Sequence, residues 1–284
     1  MARSTTSSTL KVPGASLYYE IQGSGPTLLI IPGGPQDAGV FADVSRQLAS
    51  RYTVVAHDPR GNSRSTFDGA PEDLQLDVQA DDAAALIEVL GGRAAYVFGT
   101  SGEAQIGLNL AARYPQRVRA LVAHEPPSMM LLPDPSKETA AAQGLYDTYR
   151  REGVEAAMQK FFSDNGLTDG PEHDNAPPEF AMPPEAAETF ARVSGNFAYW
   201  LAHGMMPLSL YSPDVAVLRA GKSRIMVGIG GGSAGQPIER MALALADKLG
   251  IKPIRFPGDH MGFEVHAEAF AETLHGAFEQ EKDI

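Results

Sequence analysis

Ala94–Pro115 reads AAYVFGTSGEAQIGLNLAARYP, and the order of residue types in it decides the fold. The apolar, aromatic run through Phe98 has the content of a buried strand. It enters Gly99-Thr100-Ser101-Gly102 with no intervening loop. From Ala104 to Arg113 apolar residues then recur at helical spacing. A serine on so tight a strand-to-helix turn sits in a strained backbone conformation, with its hydroxyl projecting above the sheet edge. Its neighbours must be small for the turn to close. Gly99 meets that need, whereas Glu103, two residues after the serine, does not. Alone, the turn leaves two readings open: a nucleophile, or a plain βα turn with a capping serine.

Outward from this turn, short β-branched runs alternate with longer helical stretches, which predicts a mostly parallel sheet flanked by helices, an α/β fold. A hairpin is expected at Ser8–Gln22. Strands are expected at Thr27–Ile31, Tyr52–His57, Ala94–Phe98, Ala120–His124, Arg224–Gly228 and Pro253–Phe256. Runs such as TLLII and TVVAH are continuously apolar, as strands buried on both faces are. Helical patterns cover Ala38–Ala49, Leu74–Leu90, Ala104–Arg113, Pro237–Leu249 and Val265–Gln280. Pro126–Asp214 breaks this rhythm. It carries helical patterns at Lys137–Glu152, Val154–Asn165 and Pro184–Leu201, and a Pro-rich loop, DGPEHDNAPPEFAMPPE. The expected organisation is a core of residues 1–126 and 215–284, with 127–214 inserted as an α-helical lid.

The 284 residues carry 23 Lys+Arg against 35 Asp+Glu, a net charge of −12. That argues against nucleic acid, which needs a basic face, and against an anionic membrane surface. The chain has no cysteine, so thiolate metal sites, disulfides and a Cys nucleophile are excluded. The amino terminus, MARSTTSSTL, lacks the apolar stretch of a secretory signal, and no apolar run approaches a membrane span. A soluble, cytoplasmic protein with a frayed tail of roughly seven residues is expected. Homodimerisation is left open.

The turn at Gly99–Gly102 resembles the G-x-S-x-G nucleophile elbow of α/β-hydrolases, with Glu103 where that superfamily has a small residue. Glu103 either opens the turn slightly or points outward over the helix N-terminus, where a carboxylate is favourable. Further landmarks follow in the same order. Pro32-Gly33-Gly34-Pro35 is similar to the HG-x-P loop, with Pro32 in place of His. That resemblance implies an oxyanion hole made by the N–H groups of Gly34 and Gly102. His57–Ser65, HDPRGNSRS, is similar to the D-x-R-G-x-G-x-S turn and reads as structural, with Ser63 replacing the second glycine. His260, in FPGDHMGF after the last strand, stands where the superfamily keeps its base.

The acid is displaced. Its common place, after the second-last strand, falls near Gly232 in IMVGIGGGSAGQP, where no acid stands; Asp214 precedes that strand and lies at the wrong edge. Glu125, in ALVAHEPP, ends the strand after the nucleophile helix. Parallel strands joined by a crossover present their carboxyl ends at one sheet edge, so Ser101, Glu125 and His260 converge there. Glu125 then orients the imidazole and His260 takes the serine proton. His124 reads as a satisfied, partly buried residue rather than a second base.

An acid within His-Glu-x-Pro resembles the zearalenone lactonases, a small group of α/β-hydrolases that open a macrocyclic lactone. LYYEIQGSGP, HDPRGNSRS, VFGTSGEA, YPQRVRALVAHEPP and GDHMGFEVHAEAFAE all have counterparts there. In the lid, Asn196-Phe197-Ala198-Tyr199-Trp200 resembles a stretch whose Trp packs on substrate. Trp200, Tyr199, Phe197, Met129 and Met206 are accordingly the expected substrate contacts.

The remaining signals are weaker. Gly230-x-Gly232-x-x-Gly235 matches a dinucleotide fingerprint but lies too near the C-terminus to open such a domain. The histidines show no metal-ligand spacing. No cofactor and no metal are expected. The reading is a serine hydrolase for a small apolar ester or lactone. A C–C bond hydrolase on the same scaffold and a non-catalytic binding homologue stay open as alternatives.

Overall fold

The computed structural model describes residues 5–166 and 183–280. In chain order it runs β1 (Thr6–Val12), β2 (Ala15–Gly23), β3 (Thr27–Ile31), α1 (Ala42–Leu48), β4 (Thr53–His57) and β5 (Thr66–Phe67). Next come α2 (Leu76–Val89), β6 (Ala95–Thr100), α3 (Ser101–Arg113) and β7 (Val118–His124). A helical stretch follows, with α4 (Ser136–Glu152), α5 (Val154–Asp164), α6 (Pro184–Tyr199), α7 (Met205–Ser209) and α8 (Val215–Ala220). The chain then forms β8 (Arg224–Gly230), α9 (Pro237–Leu249), β9 (Ile254–Phe256), α10 (Gly262–Val265) and α11 (Ala267–Glu279).

The strands form one sheet in the order β1-β2-β4-β3-β6-β7-β8-β9, with β5 on β2. Pairings from β4 through β3 to β9 are parallel, while β1, β4 and β5 are antiparallel to β2. The continuous apolar strands divide their side chains by the two-residue period of a strand. Leu29, Ile31, Val97, Leu121 and Ala123 enter one core cluster with α2, α3 and α9. Leu28, Ile30, Phe98, Ala120 and Val122 enter the other, with α1 and α11. Ala142, Leu145, Met158, Trp200, Met205 and Leu208, from the helical stretch between β7 and β8, join the first cluster, so that stretch sits on the α3 and α9 side of the sheet.

Several boundaries differ from the sequence pattern. The chain is paired from Thr6, inside the stretch expected to fray, because Thr6–Val12 pairs with Ala15–Ile21 as an edge strand. The helix expected at Ala38–Ala49 starts as a 3₁₀ turn, Ala38–Phe41, before α1. The one expected at Val265–Gln280 breaks at His266, whose φ of −121° is not helical. Residues Asp169–Met182 of the Pro-rich loop lie outside the described residues, as do residues 1–4. Among the described residues, no helix is long and apolar enough to cross a membrane.

Candidate active site

Helix α3 begins at Ser101 itself, three residues earlier than the apolar spacing implied. Ser101 has a φ of +54°, left-handed for a residue with a Cβ. Such a conformation costs on the order of 1–3 kcal/mol and persists only where packing enforces it. The packing is visible at its neighbours. A Cβ on Gly99 would lie 2.9 Å from the Glu103 carbonyl oxygen, and one on Gly102 would lie 2.8 Å from Cδ1 of Leu208 in α7.

Thr100 and His124 are paired across β6 and β7, so Ser101 and Glu125 leave adjacent strands at the same edge. Glu125 has a φ of +45°. Its N–H donates to the Gly228 carbonyl at 2.9 Å. Its carboxylate is fully buried; Oε1 accepts the Gly230 N–H at 2.8 Å, and Oε2 lies 2.7 Å from Nδ1 of His260. Burial alone would raise the pKa of this carboxyl. The hydrogen bond and charge of His260 outweigh burial and bring it to about 2.

The usual place of the acid is filled by backbone. A Cβ on Gly230 would lie 2.7 Å from the Asp259 carbonyl oxygen, and one on Gly232 would lie 3.2 Å from Asp259 Cβ. The Gly232 N–H donates to the Gly258 carbonyl at 2.8 Å. The glycine run after β8 is thus a close approach to the loop carrying His260. Asp214 caps α8 by accepting the Val217 N–H at 3.0 Å. His124 is fully rather than partly buried, among Phe98, Phe256, Phe263 and Phe270, with Nδ1 at 3.1 Å from Thr100 Oγ1. Burial lowers its pKa to about 4, which keeps it neutral.

One of the two expected oxyanion donors is engaged elsewhere. Gly102 lines the cavity beside Ser101, as Gly34 does. The Gly34 N–H, however, donates to Oε2 of Glu103. Glu103 does not point outward. It is 1 % exposed, and burial pushes its carboxyl well above the ordinary range, although the N–H groups of Gly34 and of Glu103 itself oppose the shift. The third position of α3 faces the Gly33–Gly34 loop, and a side chain there is trapped between them.

Ser101 and His260 line one cavity of about 1020 Å³, part of it open to solvent. Its wall is mostly apolar: Pro127, Met129, Leu145, Phe161, Trp200, Met205, Leu208, Ile238 and Met241. Of the expected substrate contacts, Trp200 and Met129 are in this wall. Tyr199, Phe197 and Met206 are not. Tyr199 turns to Phe67 and donates its hydroxyl to the Glu72 carbonyl at 3.1 Å. Phe197 packs on the core cluster. Trp200–Gly204 forms a π-helical turn in which the Met205 N–H bonds the Trp200 carbonyl. The five-residue repeat places Met205, rather than Met206, on the face of Trp200. A single-sequence pattern carries no mark of such a turn.

Sequence reading missed the ties between α6 and the core. Asn196 Nδ2 donates to the Pro35 carbonyl at 2.8 Å and to Ser63 Oγ at 2.9 Å, and Asn196 Oδ1 accepts the Ser63 N–H at 2.7 Å. Arg192 Nε donates to the buried Asp37 carboxylate at 2.6 Å. A buried amide on an otherwise amphipathic helix was the available signal. Asp58, in the HDPRGNSRS turn, accepts the Ala38 N–H at 3.0 Å and pairs with Arg64 at 2.7 Å. No group of three or more His, Asp or Glu able to hold a metal occurs among the described residues.

The fold agrees with comparison to known proteins. Residues 26–192, more than half of the chain, match the family model of the alpha/beta hydrolase fold, and the chain belongs to that family. It is 32% identical over 280 residues to the uncharacterized hydrolase YraK of Bacillus subtilis (strain 168), covering 96% of each chain. It is also 28% identical over 280 residues to a zearalenone hydrolase of Bionectria ochroleuca, covering 95% of this chain and 96% of the other. A thermophilic esterase from Thermogutta terrifontis shares the fold with a TM-score of 0.73 at 18% identity, covering 98% of each chain.

Proposed function

We propose that the protein is a serine hydrolase that cleaves a carboxylic ester or lactone with an apolar body, with Ser101, His260 and Glu125 as its triad. The observation that carries this reading is the 2.7 Å approach of Glu125 Oε2 to His260 Nδ1, on a rim where Ser101 and His260 share one apolar cavity. A carboxylate on Nδ1 fixes the tautomer with the proton there, so Nε2 is free to take the Ser101 proton. The same carboxylate stabilises the imidazolium that forms.

Ser101 Oγ attacks the substrate carbonyl carbon, and the carbonyl oxygen takes the negative charge. The Gly102 N–H stabilises it, and the Gly34 N–H is the second donor once it faces the cavity. Each such donor contributes about 10²–10³ in rate. Collapse breaks the acyl C–O bond, and His260 returns its proton to the leaving alkoxide. Water, deprotonated by His260, then attacks the acyl-enzyme and releases the acid and the serine. In a lactone both products stay in one molecule. The zearalenone hydrolase relative and the apolar wall around Trp200, Phe161 and Met129 favour a lactone or ester with a bulky ring or chain. Helices α4 to α7, which supply most of that wall, act as a lid in this reading.

The test is labelling with a fluorophosphonate and turnover of p-nitrophenyl esters of several chain lengths and of lactones of several ring sizes. Labelling and turnover that vanish in Ser101→Ala are expected. A non-catalytic binding protein is the rival, and the engagement of the Gly34 N–H by Glu103 is what favours it. No labelling of the folded wild type would decide for that rival.

A further inference from the structure

We propose that Glu103 is a positioning residue that holds the Gly34 N–H in reserve: the resting enzyme keeps this oxyanion donor on the Glu103 carboxyl, and the Gly33–Gly34 peptide turns it to the cavity for acyl transfer. The inference rests on the hydrolase reading above and deepens it. One N–H aimed at a carboxyl oxygen cannot at the same time stabilise an oxyanion in the cavity at full strength. Glu103 is 1 % exposed and is not part of the cavity wall, so it acts through Gly34 rather than on substrate.

The loop is built to give this one group a choice. Its body is anchored: Asn62 Nδ2 donates to the Gly34 carbonyl at 3.0 Å, Gly33 N donates to Gln36 Oε1 at 3.0 Å, and Asn196 holds the Pro35 carbonyl. The peptide in question lies between two glycines, and Gly34 has a φ of +52°. Such a peptide turns without a Cβ penalty. A Cβ on Gly34 would come within 3.3 Å of Trp200 Nε1, so the bare backbone also passes under the lid tryptophan. Turning exchanges two hydrogen bonds, Gly34 N to Glu103 and Gln36 N to the Gly33 carbonyl, for one to the developing oxyanion.

The charge on Glu103 sets the strength of the hold. An ionised carboxylate binds an N–H roughly twice as strongly as a neutral acid does. The ionisable groups on the packed elements are otherwise engaged. On α2, Asp82 pairs with Arg60, and Asp77 and Asp81 pair with Arg113 of α3. On β7 and the loops, Glu125 pairs with His260, His124 contacts Thr100, Asp37 pairs with Arg192, and His57 contacts the Ile30 carbonyl. Glu88 of α2 pairs with Arg117, Arg119 of β7 lies over Tyr96, and Arg219, in the last turn of α8, does not shift Glu103. Burial without a cationic partner favours the neutral acid, and the donor is released most easily in that form. As pH rises through the elevated Glu103 titration, the carboxylate tightens on Gly34 and turnover falls.

The test compares wild type with Glu103→Gln, which keeps the shape and cannot ionise. Fluorophosphonate labelling of Ser101 is checked first. Then kcat and KM for p-nitrophenyl butyrate are followed from about pH 5 to about pH 10. The expected wild-type profile has an alkaline fall in kcat on the order of tenfold, at steady KM, that Glu103→Gln lacks. The Gly34 amide proton, followed by NMR in the wild type, is expected to titrate in step with that fall. An alkaline limb of equal depth and position in Glu103→Gln, or a Gly34 amide that does not respond to pH in the wild type, would overturn the proposal while leaving the hydrolase reading intact. Absence of Ser101 labelling in the wild type would instead bring down the hydrolase reading, and this role with it.

Discussion

Two buried glutamates stand at the same sheet edge and behave in opposite ways. Glu125 is fully buried and Glu103 is 1 % exposed, so burial penalises the charged form of both. Glu125 faces an imidazole at 2.7 Å and accepts a peptide N–H from Gly230, and its pKa falls to about 2. Glu103 has peptide N–H groups and no cation, and its pKa rises well above the ordinary carboxyl value. The lesson is that a buried carboxyl takes its charge from its partner rather than from its depth. One corner keeps an anion beside the His260 imidazole; the other keeps a neutral acid beside a loop.

The largest expected effect removes the partner that separates the two corners. His260→Ala should lower ester turnover by about 10⁶, measured as kcat on a p-nitrophenyl ester. Making the first corner resemble the second comes next. Glu125→Gln should cost roughly 10²–10⁴ in kcat with the circular dichroism spectrum unchanged, because an amide cannot stabilise the imidazolium. A smaller effect concerns the loop that Glu103 touches. Asn196→Ala removes the bonds to Ser63 and Pro35 and should lower stability in urea unfolding by about 1–3 kcal/mol. The smallest is a pH dependence of stability. The folded pKa of Glu125, about 2, lies below its ordinary 4.5. Its contribution is therefore complete above that ordinary value and is lost as pH falls toward 2. Urea titrations of wild type and Glu125→Gln should accordingly converge on acidification.

Most of this arrangement could be read in the chain because it depends on local rules. A strand feeding a serine turn and a helix, and strands that share an edge, fix where Ser101, Glu125 and His260 emerge. The approach of Glu125 to His260 was legible by elimination, since glycines stand where an acid was first sought. What could not be read depends on side-chain direction. Glu103 at the third helical position points equally well outward or beneath Gly34 as far as sequence is concerned, and only the packed loop decides. The π turn after Tyr199 likewise shifts the face presented by Met205 without any residue type that announces it. Tyr199 and Phe197 looked like pocket residues because aromatic content carries no direction.

The triad acid is tested most directly by the proton between His260 and Glu125. Proton NMR of the wild type should show a resonance far downfield of ordinary amides, assigned to His260 Nδ1–H. It should vanish in Glu125→Gln and persist in Asp259→Asn. A resonance that survives in Glu125→Gln, or one that disappears with Asp259 instead, would contradict the assignment of Glu125 as the acid that orients the base.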